Sequence, residues 1–170
     1  MVYYSGFSLK DDSSFFSKYL KQGGYNVAGF SYGAIKAFEY ALSCKERVDT
    51  LQLFSPAFFQ TKPESFKRVQ KMAYKKDNEK YLSHFIKGCF EPHELKNTLH
   101  VSTKESELEE LLSYEWDSEK LKDIKACGVQ IEVYLGSEDK IIDVAAAKEF
   151  FLPFATTYVI NGANHFLQID

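Results

Sequence analysis

The sequence predicts an α/β protein with a mostly parallel sheet of about five strands, flanking helices and one helical insertion. Two observations support this prediction. Short runs of β-branched and aromatic residues alternate with stretches whose apolar residues recur at helical spacing. In addition, a Gly-x-Ser-x-Gly motif, "GFSYG" at 29–33, lies where one predicted strand passes into a predicted helix.

The predicted elements follow one another along the chain. Strands are predicted at 1–5, 25–30, 48–56, 130–135 and 156–160. Helices are predicted at 10–21, 32–44 and 143–152, the first of them amphipathic and ended by Lys21 to Gly24. Right-handed crossovers bring the C-terminal ends of parallel strands to one edge of the sheet. Chemically active residues are therefore expected in the loops at this edge.

A long helical stretch interrupts the alternation. Residues 57–127 are predicted to form several helices with no strand between them, and they fit an insertion above the active edge. We place a helical lid at 57–115, between the N-terminal part of the core (1–56) and its C-terminal part (116–170).

The charge of this insertion is uneven. Eight Lys or Arg and three acids between Lys62 and Lys87 give a net charge of +5, which leaves −8 for the rest of a chain whose total is −3. The block from Glu91 to Glu119 is acidic. Such charge runs are usually solvated helix faces, and a functional surface is the alternative.

The overall composition argues against several classes of protein. The 170 residues suit one domain, and a net charge of −3 gives no general attraction for nucleic acid or an anionic membrane. No apolar run approaches the roughly 18 residues of a membrane span, and the first residues do not resemble a signal peptide. The three cysteines are odd in number and lack metal-site spacing, so we expect reduced thiols in a cytoplasmic protein that has no metal and no cofactor.

Ser31 is the candidate nucleophile. Gly-x-Ser-x-Gly between a strand and a helix is typical of the nucleophile elbow, a turn so sharp that only glycine fits two positions either side of the serine. The strained turn exposes the hydroxyl, and the helix N-terminus behind it offers free N–H groups. An ordinary glycine-rich turn is the alternative, but strand, motif and amphipathic helix all coincide here.

A serine nucleophile needs a base and an acid, which should follow later strands in the order acid, then histidine. His165 follows the last predicted strand, and Asp139 follows the one before it. Glu138 and Asp143 are rival acids, although the Gly136-x-x-Asp139 spacing favours Asp139. The other three histidines belong to no motif, and surface or packing roles are expected for them: His84, His93 and His100.

Two backbone N–H groups are expected to stabilise an oxyanion. The first is the N–H of Tyr32, which follows the nucleophile. The second is the N–H of Phe7, in the loop "YYSGFS" after the first strand. Ser5 stands where a histidine is common in such loops, but a backbone donor tolerates that change of side chain.

This layout resembles the α/β-hydrolase fold over most of the chain outside 57–115. It resembles a shortened version, because a typical member has more strands before its elbow and a closing helix after its histidine. Among shortened hydrolases the chain is similar to the compact BioV-type esterases of biotin synthesis, through segments that span nearly the whole sequence: "SGF", "GFSYGAIKAFEYA", "LQLFSPAF", "FKRVQ", "LEELLSYEW", "IEVYLGSEDKIID" and "NHFLQ".

The resemblance implies a carboxylesterase that hydrolyses the methyl ester of pimeloyl-acyl-carrier protein to methanol and pimeloyl-acyl-carrier protein. It also implies a lid that receives the acidic carrier protein, which presents the acyl chain on phosphopantetheine. Docking of an acidic partner favours a local basic patch. The candidate residues are Lys62, Lys67, Arg68, Lys71, Lys75 and Lys76. Positions 67, 71 and 75 share one helical face, and lid aromatics are expected to line an acyl channel or to pack the core.

Two alternatives remain open at this level. One is another small serine hydrolase, a short-chain esterase or thioesterase, because the fold does not determine the substrate. The other is a non-catalytic binding module that retains the elbow. A possible homodimer is also expected: five strands in sequential order would place all their helices on one face, and either the first helix or a partner subunit must cover the other.

Overall fold

The computed structural model describes residues 1–170 and contains a five-stranded parallel sheet with a separate two-stranded ribbon. The sheet strands are β1 (Val2–Tyr4), β3 (Asn26–Phe30), β4 (Thr50–Phe54), β6 (Gln130–Gly136) and β7 (Thr156–Ile160), in the order β1-β3-β4-β6-β7. The ribbon pairs β2 (Leu9–Lys10) with β5 (Leu99–His100) antiparallel. The predicted α/β class and parallel sheet are confirmed.

Six α-helices accompany the strands. They are α1 (Tyr32–Ser43), α2 (Glu64–Lys76), α3 (Asn78–Phe90), α4 (Glu105–Ser113), α5 (Ser118–Ala126) and α6 (Val144–Phe151). Helices α1, α5 and α6 cover one face of the sheet, where the largest apolar cluster joins Leu51, Leu53 and Val133 of the strands to residues of these helices. The central strands β3 and β4 are buried along their whole length, although they include a few polar residues such as Gln52.

The other face of the sheet is covered by the connection from β1 to β3. The helix predicted at 10–21 is wrong in extent, because only Asp12–Phe16 is helical, as a single stretch of 3-10 helix. Asp11 before it has left-handed backbone (φ 57°), and the side chain of Asp12 is engaged by a backbone N–H outside the helix. The apolar spacing that predicted the helix nevertheless serves packing, since Phe16 stacks on Phe54 at 4.7 Å between ring centroids.

A polar cluster fastens the end of this connection to the same face. The side-chain oxygen of Gln52 accepts from the Lys21 N–H at 2.8 Å, and its amide donates to Glu132 at 3.0 Å. Lys21 forms a salt bridge with Glu132, and the Tyr134 hydroxyl donates to the same carboxylate at 2.9 Å. Burial and the bond to Glu132 raise the pKa of Tyr134. The buried polar side chains on this sheet face thus find hydrogen-bond partners in one another and in the segment that connects β1 to β3.

Of the two expected ways to cover the second face, the structure shows the first. The strands follow one another across the sheet in chain order, from β1 to β7. The connection from β1 to β3 lies on the face opposite α1, so its handedness is opposite to that of the connection that contains α1. A short, irregular segment makes this crossover in place of a full helix. The homodimer stays a prediction, because the covered face removes the main reason for a partner subunit without testing for one.

The lid consists of α2, α3, α4 and the strand β5. Only helices were predicted for this stretch, so strand β5 was not expected. It forms because its backbone pairs with β2, the short strand just after β1. The basic and acidic blocks of the sequence face each other here: Lys71 pairs with Glu109 at 3.0 Å and Lys75 with Glu105 at 2.9 Å. Part of the charge asymmetry of the sequence therefore holds α2 against α4.

Other features of the chain bear on its chemistry. The three cysteines are free, and burial raises the pKa of the Cys89 thiol. No group of three or more His, Cys, Asp or Glu side chains is arranged to hold a metal ion. None of the helices combines the length and the apolar character that crossing a bilayer requires.

Candidate active site

Ser31 lies at a sharp turn between β3 and α1. Its backbone has φ 53° and ψ −113°, a conformation that non-glycine residues rarely adopt. A Cβ at Gly29 would lie 2.1 Å from the Gly33 oxygen, and one at Gly33 would lie 2.1 Å from the Tyr4 oxygen. The N–H of Ser31 donates to Phe54 at 2.9 Å, which anchors the turn to β4. The strained turn therefore requires both glycines of the motif.

Three of the predicted site residues come together at this turn. The Ser31 Oγ lies 3.0 Å from His165 Nε2, and His165 Nδ1 lies 2.6 Å from Asp139 Oδ2. These contacts join residues 134 and 26 positions apart in sequence. Ser31 is 2 % exposed and His165 is fully buried. The arrangement is that of a serine whose proton can pass to an imidazole oriented by a carboxylate.

The loop after β6 holds Asp139 in place. Its second oxygen, Oδ1, accepts from the Ile141 N–H at 2.8 Å and the Ile142 N–H at 3.3 Å. The rival acids lie elsewhere: Glu138 pairs with Lys140, and Asp143 caps α6 by accepting from Ala146 at 3.0 Å. Asp139 alone among the three touches the histidine.

The loop after β7 is held by a residue that the sequence did not single out. The amide of Asn164 donates to the Phe90 oxygen at 2.8 Å, and its oxygen accepts from the Gln168 N–H at 3.0 Å. A Cβ at Gly136 would lie 2.2 Å from the backbone oxygen of Asn164, so this loop packs backbone to backbone against the loop that carries Asp139. His93, for which a surface or packing role was expected, contacts the Gly162 oxygen at 2.7 Å through Nε2.

The two predicted oxyanion donors lie beside the serine turn. Tyr32 is the first residue of α1, so its N–H has no acceptor within the helix. The N–H of Phe7 makes no hydrogen bond within the chain, although the Phe7 side chain is buried against Tyr32. Two free N–H groups on adjoining loops match the requirement for oxyanion stabilisation.

A cavity of about 560 Å³ opens in the lid near these residues. Its apolar wall includes Phe85, whose ring lies 6.0 Å from that of Phe7, and Ile141, whose N–H binds Asp139. Ser31 and His165 do not line it. Both side chains are buried in this structure. The volume is in the range of small-molecule sites.

The six basic residues predicted to form a patch do not form one free surface. Lys67, Lys71 and Lys75 lie on α2 and pair with Glu64, Glu109 and Glu105, at 3.0, 3.0 and 2.9 Å. Arg68 is exposed on α2, whereas Lys62 and Lys76 border the lid cavity. Two lysines that were not predicted complete this border: Lys80 and Lys140.

Comparison with solved structures gives the fold. An N-acyl homoserine lactone degrading enzyme superposes with a TM-score of 0.68 at 16 % identity, over 99 % of this chain and 86 % of that one. E-2-(acetamidomethylene)succinate hydrolase gives 0.59 at 12 %, over 97 % and 84 %. The naproxen esterase of Bacillus subtilis gives 0.56 at 18 %, over 85 % and 54 %, so this chain spans about half of its length.

Comparison by sequence adds nothing to this result. No protein-family model matches the chain, and no curated protein matches it. The parallel sheet, the strained serine turn and the structural neighbours agree with one another. The chain therefore has a compact α/β-hydrolase fold.

Proposed function

We propose that the chain is a serine hydrolase of carboxylic esters, in which Ser31, His165 and Asp139 form the catalytic triad. The observation that carries this proposal is the continuous line of contacts from Ser31 Oγ to His165 Nε2 (3.0 Å) and from His165 Nδ1 to Asp139 Oδ2 (2.6 Å). Buried side chains from three separate loops converge in this line, and such a line activates a serine for attack on an acyl carbon.

The proposed reaction has two stages. His165 takes the Ser31 proton as Oγ attacks the ester carbonyl, and Asp139 stabilises the imidazolium that forms. The N–H groups of Phe7 and Tyr32 bind the oxyanion of the tetrahedral intermediate. His165 then gives its proton to the leaving alkoxide, and the alcohol departs. Water, deprotonated by His165, hydrolyses the acyl enzyme and restores Ser31.

For the substrate, we propose the methyl ester of pimeloyl-acyl-carrier protein, as in the BioV-type esterases that the sequence resembles. Two features of the lid support it. The cavity of about 560 Å³ has an apolar wall suited to a seven-carbon chain. Its border carries three lysines that form no salt bridge and suit an acidic carrier protein and the phosphate of its pantetheine arm, Lys62, Lys76 and Lys80, together with Lys140, which pairs with Glu138.

The proposed docking surface differs from the basic patch expected from the sequence. The pairs of Lys71 with Glu109 and of Lys75 with Glu105 leave little free charge on that side of α2. Lys62, Lys76 and Lys80 have no carboxylate partner of this kind, so their charge is available to an acidic partner. Arg68 remains a candidate because it is exposed.

The test compares methanol release from pimeloyl-acyl-carrier-protein methyl ester with hydrolysis of p-nitrophenyl acetate. The proposal expects a higher kcat/KM for the carrier-linked ester and loss of both activities in Ser31→Ala. Hydrolysis of the small ester without methanol release from the carrier-linked one would exclude the proposed substrate and retain the esterase.

That second outcome is the alternative that the neighbours favour. They include a naproxen esterase and an enzyme that degrades N-acyl homoserine lactones. Under this alternative, the same triad and cavity would serve a short-chain ester or thioester. Free pimelate monomethyl ester separates the two cases, since it offers the same acyl chain without the carrier protein.

A further inference from the structure

A buried carboxylate holds the loop that carries one of the proposed oxyanion donors. The N–H of Gly6 donates to Asp12 Oδ2 at 2.8 Å, and Asp12 is 2 % exposed. Gly6 directly precedes Phe7. Asp12 thus lies one peptide away from the N–H that the proposed reaction assigns to the oxyanion.

The bond to Asp12 is one of two that fix consecutive peptide planes. It fixes the plane between Ser5 and Gly6, whose N–H points at the carboxylate. The Leu9 N–H donates to the Gly6 oxygen at 3.1 Å and fixes the next plane, between Gly6 and Phe7. The C=O and N–H of a trans peptide point in opposite directions. The free Phe7 N–H is therefore aimed away from Leu9.

The loop needs such support because it is strained and closely packed. Ser8 and Asp11 have positive φ values of 61° and 57°. A Cβ at Gly33 would lie 2.1 Å from the Tyr4 oxygen and 2.4 Å from the Ser5 oxygen, so the loop rests directly on the serine turn. Positive φ at non-glycine residues persists only where surrounding contacts enforce it.

Burying the charged Asp12 carboxylate costs folding stability. Burial raises the pKa of Asp12, and the hydrogen bond from Gly6 opposes this in part. Its other oxygen, Oδ1, and the Tyr3 hydroxyl are both buried and make no well-formed hydrogen bond, and burial together with the nearby Asp12 carboxylate raises the pKa of Tyr3. Groups that cost stability in this way concentrate at functional sites.

We propose that Asp12 is a positioning residue for the oxyanion hole: it holds the Gly6 N–H so that the Phe7 N–H faces the ester oxygen as negative charge develops on it. This inference rests on the proposed function. Asp12 touches neither substrate nor reacting atoms, and it acts through the two peptides between Ser5 and Phe7.

The test uses Asp12→Ala and Asp12→Asn, with Asp11→Asn as the matched control. Asp11 is exposed, and asparagine tolerates its left-handed backbone. Three quantities are measured for each variant: kcat and KM for p-nitrophenyl acetate, the labelling rate of Ser31 by a fluorophosphonate, and hydrogen exchange of the Gly6 amide. Asp12→Ser, whose hydroxyl is too short to keep the contact, replaces Asp12→Ala if that variant does not fold.

We expect Asp12→Ala to lower kcat at least about tenfold, less than the 10²–10³-fold lost when an oxyanion donor is deleted. KM should change less than about twofold, because the contact acts on the transition state. The labelling rate should fall with kcat, and Gly6 exchange should become faster. Asp12→Asn, which keeps an acceptor oxygen, should recover most of the activity.

Unchanged kcat and labelling in a folded Asp12→Ala variant would overturn the inference, as would Gly6 exchange equal to that of the Asp11→Asn control. Failure of the proposed function gives a different result: the wild type itself would neither hydrolyse the ester nor react with the fluorophosphonate. Gly6 exchange would still decide whether Asp12 holds the loop.

Discussion

The phenolic hydroxyl of Tyr32 donates a hydrogen bond to a carboxylate oxygen of Glu110, with an O–O distance of 2.5 Å. Tyr32 follows Ser31, and Glu110 lies on lid helix α4, so this bond joins the serine turn directly to the lid. Lys36 lies 4.4 Å from the centroid of the Tyr32 ring and 3.8 Å from Glu107. Burial and the bond to Glu110 raise the pKa of Tyr32, so its hydroxyl stays protonated as the donor.

The Tyr32–Glu110 bond should couple the stability of the lid to that of the turn. Tyr32→Phe and Glu110→Gln are each expected to lower the free energy of unfolding by about 1–2 kcal/mol, since hydrogen bonds to charged groups contribute more than neutral ones. Urea unfolding of both variants and of the double variant gives the coupling energy, which should be about 1 kcal/mol. Strictly additive losses would show that the bond contributes nothing.

Asp139 should be the acid that orients His165. Asp139→Asn is expected to lower kcat by about 10⁴-fold, as the equivalent substitution does in a serine protease triad, because asparagine favours the wrong tautomer of the histidine. Initial rates on p-nitrophenyl acetate give the comparison. Glu138→Gln and Asp143→Asn are the controls, since they alter the two rival carboxylates, and both should keep kcat within about threefold because neither contacts His165. A large loss of kcat in either control, with little loss in Asp139→Asn, would show that the rival carboxylate and not Asp139 orients His165.

Gly33 should be irreplaceable for the turn. A Cβ there would lie 2.1 Å from the Tyr4 oxygen and 2.4 Å from the Ser5 oxygen, both backbone atoms that cannot move aside cheaply. Gly33→Ala is expected to lower the free energy of unfolding by more than about 3 kcal/mol. Gly24→Ala is the control, because a Cβ at Gly24 meets nothing within 4 Å. Thermal unfolding of the two variants compares them, and equal melting temperatures would refute the packing described here.

The lysines around the lid cavity should matter for a carrier-linked ester and not for a free one. A Lys62→Glu/Lys76→Glu/Lys80→Glu variant is expected to lower kcat/KM for pimeloyl-acyl-carrier-protein methyl ester at least about tenfold at low salt, with a smaller effect at high salt. Hydrolysis of p-nitrophenyl acetate should be spared.

The matched control for this variant is Lys45→Glu/Lys122→Glu/Lys125→Glu, which reverses the same number of charges outside the lid. It should leave both activities within about twofold, because exposed charges far from the docking surface are screened by salt. Equal losses in the two triple variants would indicate a general charge effect and contradict a docking surface at the cavity.

The parallel sheet and the contacts among Ser31, His165 and Asp139 were predictable because the strands and turns that carry these residues have local sequence signals. A buried strand followed by Gly-x-Ser-x-Gly leaves few other conformations, and the spacing between Gly136 and Asp139 identifies the tight turn before the acid. The 3-10 segment was not predictable, since the apolar spacing of Phe15, Phe16 and Tyr19 fits a helix equally well. In the structure the left-handed backbone of Asp11 and the bond between Asp12 and Gly6 accompany a short 3-10 stretch in place of that helix.

The ion pairs of the lid could not be predicted, for a different reason. Helical spacing placed Lys67, Lys71 and Lys75 on one face, which is where they lie on α2, but spacing cannot show what that face meets. Lys67 pairs with Glu64 on the same helix, whereas the partners of Lys71 and Lys75 come from α4, about 30 to 40 residues later in the chain, through tertiary contacts. The sequence analysis also missed Asp12, Asn164 and Glu110, since each acts through side-chain hydrogen bonds that no motif marks.

The most direct test of the central claim is whether Ser31 is an activated nucleophile. Intact-mass and peptide analysis of the protein treated with a fluorophosphonate would measure this without knowledge of the natural substrate. We expect one adduct, on the peptide that contains Ser31, absent in Ser31→Ala and formed at least about 10³-fold more slowly in His165→Ala. An unlabelled wild-type protein, or labelling that survives Ser31→Ala, would contradict the catalytic triad and favour a binding module that retains the fold.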